Sequence, residues 1–266
     1  MTWWILSYVA VGLGSGFIAG LFGVGGGLVI VPILLMLFNA QGFPEDQLMH
    51  LALGTAMATI VVTSISSMRA HHHHGGVRWD IFKGMAPGLV AGTLVSSLFA
   101  SSVNTDHLAI AFTAIVYWAA LQMLLDFKPK ATRQLPGFAG LMGTGCVIGS
   151  VSSLVAAGGG FLSVPFMMMC NVSVRQAVGT SAALGMPIAT AGVLGYIAGG
   201  WSVAGLPGPN AGFVYLPAFL GVVLSTIFMA PVGARLAHRL PVKLLKRAFG
   251  GMLALLATKM LWTLIG

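Results

Sequence analysis

The chain has 266 residues, of which 57% are hydrophobic and only 7% carry a charged side chain. Soluble domains carry about 25% charged residues, so this composition excludes a water-soluble globular protein. The formal net charge is +8, but the Lys and Arg residues occupy short segments between apolar stretches rather than one polar face, which excludes nucleic acid as a partner.

Ten apolar segments follow one another along the chain, and most approach the roughly 20 residues that an α-helix needs to cross the hydrocarbon core. They cover residues 3–22, 24–38, 50–68, 81–101, 107–126, 137–156, 159–171, 176–198, 212–233 and 246–265. The first is too long for a cleaved signal peptide and lacks a basic start, so we expect it to remain in the mature protein. The chain is therefore predicted to be an all-α polytopic membrane protein whose surroundings are the lipid bilayer.

Small residues recur at helical spacing within several of these segments. Examples are Gly12-x-x-x-Gly16, Gly88-x-x-x-Gly92 and Gly145-x-x-x-Gly149. In lipid, hydrophobic contrast cannot drive helix packing, and such patterns let helices approach closely. We expect these glycines to lie at helix crossings.

Two glycine triplets stand at the same distance from a proline in the two halves of the chain. Gly25, Gly26 and Gly27 precede Pro32, and Gly158, Gly159 and Gly160 precede Pro165. A second matching block follows each triplet, as Leu53-Gly54-Thr55-Ala56 and Val178-Gly179-Thr180-Ser181. Similarity over about thirty residues in each half predicts an internal duplication, with a first membrane repeat at 1–130 and a second at 131–266.

The charges of the connecting segments predict how the chain crosses the membrane, because cytoplasmic loops are rich in Lys and Arg. The most basic connection, 235–247, is placed inside, and single crossings then place 172–175 inside as well. The basic residues of 126–135 and 69–80 place these two connections inside on their own charge. Connections 39–49, 102–107 and 199–211 are placed outside. Both flanks of region 137–171 then lie inside, so this region enters the membrane and returns, either as two short spans or as a re-entrant hairpin. The repeats are accordingly predicted to be inverted, each with one Gly-rich broken-helix or re-entrant element and about three transmembrane helices.

The glycine triplets are the candidate substrate-binding site. Helices that begin at them would present free backbone N–H groups and the positive end of the helix dipole, which together bind anions. Thr55, Thr180 and Ser181 add neutral hydroxyl donors, and Pro32 and Pro165 are expected to break the helices. Tight helix crossing is the alternative for a single triplet, but duplication at a matched distance from proline favours an anion site.

The ionisable residues limit the kinds of substrate and cofactor. All five acidic residues fall in connections or at segment ends, which argues against a cation substrate and against a proton or sodium site of the buried-carboxylate type. His71 to His74 lie in a predicted inner loop without an i, i+4 pattern or a nearby cysteine, so we interpret them as a basic, pH-titratable loop rather than a metal site. Cys146 and Cys170 lack a Cys-x-x-Cys partner. No cofactor, no metal and no catalytic residue is predicted.

The sequence at 20–32, Gly-Leu-Phe-Gly-Val-Gly-Gly-Gly-Leu-Val-Ile-Val-Pro, is echoed at 154–165. Further matching stretches are Gly54-Thr55, His73 to Trp79, Val178 to Ser181, Gly195-Tyr196 and Gly233 to Ala237. With these stretches, nearly the whole chain resembles the sulfite exporter TauE/SafE family of bacterial membrane permeases. The resemblance implies a permease for sulfur-containing oxyanions, such as sulfite or sulfonates, in the bacterial inner membrane. The second copy departs from the pattern at Ala156-Ala157, where Gly-Val would be expected, so the two half-sites need not be equivalent.

We therefore expect a membrane permease that exports a small sulfur-containing anion through a site near the membrane midplane. The two glycine triplets form this site, and we call Gly25 to Gly27 the first glycine segment and Gly158 to Gly160 the second. No enzymatic activity is predicted. Two alternatives stay open, an anion channel and a membrane-embedded metalloenzyme that uses His71 to His74.

Overall fold

The computed structural model describes residues 2–22, 26–73, 75–125, 133–237 and 242–265. These residues form ten α-helices and one short β-hairpin. The helices are α1 (Thr2–Phe22), α2 (Gly27–Ala40), α3 (Leu48–His73), α4 (Trp79–Ala100), α5 (Thr105–Leu124), α6 (Phe138–Leu154), α7 (Gly160–Met169), α8 (Val174–Gly200), α9 (Leu216–Ala237) and α10 (Val242–Ile265). The strands β1 (Asn210–Ala211) and β2 (Val214–Tyr215) pair antiparallel between α8 and α9.

The all-α membrane architecture that the sequence predicts is confirmed, since each of the ten predicted apolar segments corresponds to one helix. Within the described ranges, four stretches are long and apolar enough to span a bilayer, namely Glu45–His73, Trp79–Ala100, Thr105–Leu124 and Val174–Gly200. The two helices that follow the glycine segments, α2 and α7, are shorter, with 14 and 10 residues. The molecule thus combines long helices with helices too short to cross the hydrocarbon core alone.

The histidine tract is not a loop, which corrects the sequence interpretation. Helix α3 continues through His73 and stops only where Gly75 takes a left-handed conformation, with φ of 65°. The N–H groups of Gly75 and Gly76 donate to the carbonyl oxygens of His72 and His71, which closes the last turn. Histidine is tolerated within a helix, and the chain has no terminator before the glycine, so the helix does not end at the tract. His74 lies outside the described residues.

Small residues allow the two most extensive helix contacts, between α1 and α9 and between α4 and α6. A β-carbon placed on Gly88 or Gly92 of α4 would overlap the backbone of α6 at Met142 or Cys146. The reciprocal contacts involve Gly145 and Gly149, which face the backbone of α4 in the same way. Glycines of α1 lie equally close to α9. The expectation that these patterns mark helix crossings is confirmed.

Helices α3 and α8 form the centre of the fold and pack extensively against each other. Residues of α3 from Leu48 to Ile60 are buried without interruption. Helix α2 packs on α3, and α7 packs on α8. The glycine segments are therefore held against the two most buried long helices.

The connections gather at two opposite ends of the helix bundle. At one end, Asp46 and Gln47, residues 101–105, Val203 and Phe213 line an open cavity of about 300 Å³. At the other end, Gly76 lies against Arg175, and the N–H of Arg133 donates to the carbonyl oxygen of Met169. This grouping agrees with the outer and inner sets that loop charge predicts. Much of the basic connection 235–247 lies outside the described residues.

Candidate functional site

Helices α2 and α7 both begin at a glycine segment with the same backbone geometry. Gly26 and Gly159 precede the helices in left-handed conformations, with φ of 73° and 78°, and neither helix has a side-chain cap. The first helical hydrogen bonds reach Gly26 O from Val29 N and Gly159 O from Leu162 N, at 3.0 and 3.1 Å. The N–H groups that come before these bonds have no intrahelical acceptor, and they mark the positive end of each helix. Gly25 lies outside the described residues.

The prolines do not interrupt these helices, which corrects the prediction for Pro32 and Pro165. Each is the sixth residue of a continuous helix, α2 or α7. The break comes earlier, at Gly26 and Gly159, because only the glycines take the left-handed conformation at low cost. Each proline removes one N–H donor from its helix, but the helix continues on both sides of it.

At the middle of the molecule the first glycine segment contacts the residue two positions before the second segment, and both segments lie against Ile60. A β-carbon on Gly27 would overlap the carbonyl oxygen of Ala156 and would lie 2.7 Å from Ile60 Cδ1. A β-carbon on Gly158 would lie 3.9 Å from Cγ2 of the same Ile60 and 3.7 Å from Gly185 Cα. Ile60 is at the midpoint of α3 and Gly185 is near the midpoint of α8. Both helices are about 40 Å long at 1.5 Å per residue, so the contact is far from either end.

Three buried serine hydroxyls surround the second glycine segment. Ser152 Oγ would lie 3.8 Å from a β-carbon on Gly159, and this hydroxyl has no hydrogen-bond partner among the described residues. Ser163 Oγ lies 2.8 Å from Gly159 O and 2.9 Å from Ser181 Oγ. The exposed fractions of Ser152, Ser163 and Ser181 are 0%, 0% and 4%. Gly158 and Gly159 are buried with these serines, whereas Gly160 is partly exposed.

The Gly-Thr blocks join the two halves of the chain rather than face the glycine segments. The Thr55 hydroxyl oxygen accepts a 3.0 Å hydrogen bond from the Tyr215 N–H, directly before α9. The Thr180 hydroxyl oxygen accepts a 2.9 Å hydrogen bond from the Arg78 N–H, directly before α4. We call these contacts the Thr55 joint and the Thr180 joint.

The glycine of each Gly-Thr block makes its joint possible. A β-carbon on Gly54 would come within 2.5 Å of Phe213 O, and one on Gly179 would overlap Gly76 O. Each glycine therefore admits the backbone of the connection that its threonine binds two residues later. The spacing of glycine and threonine in both blocks follows from this arrangement.

No acidic side chain of the described residues lies near the glycine segments. Glu45 and Asp46 are in the turn before α3, and Asp80 and Asp106 are the second residues of α4 and α5. Asp126 is outside the described residues. Asp80 pairs with Arg78 through a hydrogen bond of 2.8 Å from Nε to Oδ1, and this bond raises the pKa of the Arg78 guanidinium. The contacts of the glycine segments are thus neutral groups.

The described residues contain no group of three His, Cys, Asp or Glu side chains placed to hold a metal ion. His72 Nδ1 instead accepts a 3.3 Å hydrogen bond from Trp79 Nε1. His50, also outside the predicted site, is buried beside the end cavity, with Nε2 at 3.1 and 3.0 Å from the carbonyl oxygens of Ala100 and Val103. These histidines connect helices to neighbouring segments.

Sequence reasoning missed Ser152 and Ser163, although it selected Ser181. A comparison of the two halves of the sequence distinguishes these two serines. Counted from the glycine triplets, Ser152 corresponds to Ala19 and Ser163 to Ile30, so each hydroxyl occurs in only one copy.

Comparisons with known proteins bear on the whole chain. A family model described as "Sulfite exporter TauE/SafE" matches residues 8–260. A "Probable membrane transporter protein" of Haemophilus influenzae is 37% identical over 258 residues, covering 96% of this chain and 97% of the relative. "Probable membrane transporter protein YdhB" of Bacillus subtilis is 26% identical, covering 88% and 90%. No solved structure matches the chain.

Proposed function

Because the chain belongs to the sulfite exporter TauE/SafE family and is a multi-pass membrane transporter, we propose that it moves a small sulfur-containing oxyanion across the bacterial inner membrane. The substrate class comprises sulfite, sulfonates and related organosulfur anions. The anion passes through a site near the membrane midplane, where Gly26-Gly27 and Gly158 to Gly160 meet. Gly25 is part of the same proposed segment.

The observation that carries this proposal is the meeting of two helix N-termini far from either end of the bundle. Each presents backbone N–H groups without helical partners, which favour an anion. The neighbouring side chains of the described residues are neutral, so no carboxylate cancels the positive potential. Broken helices of this kind are tolerated within a membrane where protein surrounds them or a cavity lies beside them.

We also propose that the two halves are inverted repeats. In support, α2 and α7 begin at left-handed glycines, and α3 and α8 carry the Thr55 and Thr180 joints. The helix contacts follow the same correspondence between the halves. Helix α1 corresponds to α6 and α4 corresponds to α9, and α1 packs on α9 while α6 packs on α4. The two glycine segments would then approach the midplane from opposite sides.

Export is the proposed direction. A monovalent anion that leaves a cell with a negative interior gains roughly 2.3 kcal/mol per 100 mV. The membrane potential alone is then a sufficient driving force. Efflux that does not change when the potential is collapsed at constant pH would contradict this mechanism.

The test is flux in proteoliposomes with sulfite, thiosulfate, methanesulfonate and sulfate as probes. Gly158 offers a graded variant, because a β-carbon there makes ordinary contacts of 3.7 and 3.9 Å and its φ is not left-handed. Gly158→Ala should fold and transport, whereas Gly158→Leu should fill the space between Ile60 and Gly185 and block flux. Gly137→Leu, at a position with no neighbour within 4 Å, is the matched control.

Flux of a sulfur oxyanion by the wild type and by Gly137→Leu, together with its loss in Gly158→Leu, would support the proposal. Absence of flux for every sulfur probe in the wild type would overturn the substrate class. Full flux in a correctly inserted Gly158→Leu protein would overturn the placement of the site.

A further inference from the structure

We propose that the second glycine segment alone recognises the substrate, through the hydroxyls of Ser152, Ser163 and Ser181, and that its ligand is a singly charged oxyanion. The first glycine segment adds backbone N–H groups and the positive end of α2, but no side-chain hydroxyl. This inference rests on the proposed function and assigns the residues and the charge of the ligand at the same site.

Ser152 is the anchor of the argument because its hydroxyl is buried without a partner among the described residues. Buried hydroxyls almost always find a hydrogen-bond partner, and one that lacks it destabilises the fold. Its oxygen is beside Gly159, the residue that directly precedes α7. A ligand bound at the start of α7 would give this hydroxyl the acceptor that the protein does not.

Ser163 and Ser181 supply a second donor that the fold leaves available. The two hydroxyls have two hydrogens between them, and within the described part of the chain their hydrogen-bond acceptors are Gly159 O and each other. When Ser163 donates to Gly159 O, the Ser181 hydrogen is left for Ser163 or for a ligand. Rotation of the Ser181 hydroxyl about its C–O bond therefore redirects its hydrogen from Ser163 Oγ to an anion.

The first half has carbon where the second half has these oxygens. By position from the glycine triplets and the Gly-Thr blocks, the counterparts of the three serines are Ala19, Ile30 and Ala56. A β-carbon on Gly26 would lie 3.1 Å from Ala19 Cβ, 3.5 Å from the Ser15 carbonyl oxygen and 3.6 Å from Ile30 Cδ1. A β-carbon on Gly159 would also meet aliphatic carbon, at Ile188 Cδ1 and Ile148 Cγ2, but there the third neighbour is the Ser152 hydroxyl. Among these nearest atoms a side-chain hydroxyl therefore occurs at the start of α7 and not at the start of α2.

The charge of the ligand follows from the charge of the site. Hydroxyls and backbone N–H groups donate hydrogen bonds but carry no net charge, and among the described residues no Lys or Arg is a near neighbour of Gly158 or Gly159. The cost of moving an ion out of water rises with the square of its charge, so a dianion would need a cationic partner that these contacts do not provide. Hydrogensulfite and sulfonates fit, whereas sulfate does not.

The experiment compares neighbouring serines in purified full-length protein. Ligand-induced thermal stabilisation in detergent measures binding separately from transport, with methanesulfonate, sulfite at mildly acidic pH and sulfate as probes. Ser152→Ala and Ser181→Ala should each weaken methanesulfonate binding about tenfold, the effect of losing one hydrogen bond to a charged ligand. Ser153→Ala is the matched control, because Ser153 is equally buried but donates to Ser150 O at 2.8 Å.

If Ser152 binds the ligand, Ser152→Ala should leave the melting temperature of the ligand-free protein unchanged or higher, because the substitution removes an unpartnered hydroxyl, and only the ligand-induced shift should fall. If Ser152 has a purely structural role, Ser152→Ala should instead lower the melting temperature of the ligand-free protein. Equal binding by Ser152→Ala, Ser153→Ala and the wild type would overturn the inference while leaving the proposed function intact. Tighter binding of sulfate than of methanesulfonate would overturn the assignment of charge. Absence of binding and flux for all sulfur probes in the wild type would instead remove the proposed function.

Discussion

Replacing Thr180 with valine tests the joint between α8 and the start of α4. Valine keeps the shape of threonine, so no cavity forms, but the Arg78 N–H loses its 2.9 Å acceptor. Thr180 is fully buried but Arg78 is only partly buried, so the cost of the unsatisfied N–H should be about 1 kcal/mol, the lower end of the range for a buried donor. The melting temperature should then fall by about 2 to 4 °C for a chain of this size. The measurement is thermal unfolding in detergent at one fixed scan rate.

Thr113→Val is the matched control for this change. Thr113 Oγ1 is also buried, but it has no hydrogen-bond partner among the described residues. The same substitution there removes an unsatisfied group, so the melting temperature should stay constant or rise. Thr55→Val should behave like Thr180→Val, and the two losses should add because the joints are at opposite ends. Equal shifts for Thr180→Val and Thr113→Val would refute the reasoning.

Three further substitutions test other contacts by the same measurement. Gly27→Ala should lower the free energy of unfolding by about 3 kcal/mol, because the new β-carbon overlaps the Ala156 carbonyl oxygen. Its control is Gly143→Ala, which has no neighbour within 4 Å and should raise the free energy of unfolding by up to about 1 kcal/mol. Equal effects of the two substitutions would contradict the contact between Gly27 and Ala156. Ala156→Gly should raise the free energy of unfolding by about 1 kcal/mol, because Ala156 has a φ of 45°, a region that disfavours residues with a β-carbon. A lower melting temperature for Ala156→Gly would argue against that backbone conformation. His50→Ala should cost about 2 to 4 kcal/mol, because a buried ring and its hydrogen bonds are lost, while exposed His107→Ala should have no effect.

The sequence predicts the helices well because the bilayer permits few alternatives. Each apolar segment must satisfy its backbone internally, so a run of apolar residues becomes a helix. The ends were less predictable where no terminator was present, as in α3, which continues to His73. The glycine breaks were placed at the correct triplets, but the prolines were assigned a break that they do not make.

The site was predictable only in part because its chemistry depends on register between helices. Left-handed glycines have a strong local signal, and the structure places both N-termini where the triplets predict them. Serine and threonine hydroxyls have no such signal, since each can bond to its own helix or to another segment. Thr55 and Thr180 are predicted from the sequence to be free donors but accept hydrogen bonds from distant backbone groups, whereas nothing in the sequence of α6 indicates that Ser152 lies beside Gly159.

The two joints have a consequence for the direction in which the transporter works. Each consists of one backbone N–H and one buried hydroxyl, and their lengths of 3.0 and 2.9 Å are nearly equal. We expect a passage toward one end of the molecule to need only the separation of the joint at that end, while the other joint keeps the halves together. Because the two joints use the same kinds of donor and acceptor, we expect them to give no preference for one direction of transport. Net movement would then be set by the substrate gradient and the membrane voltage, and the same protein would run backwards when these are reversed.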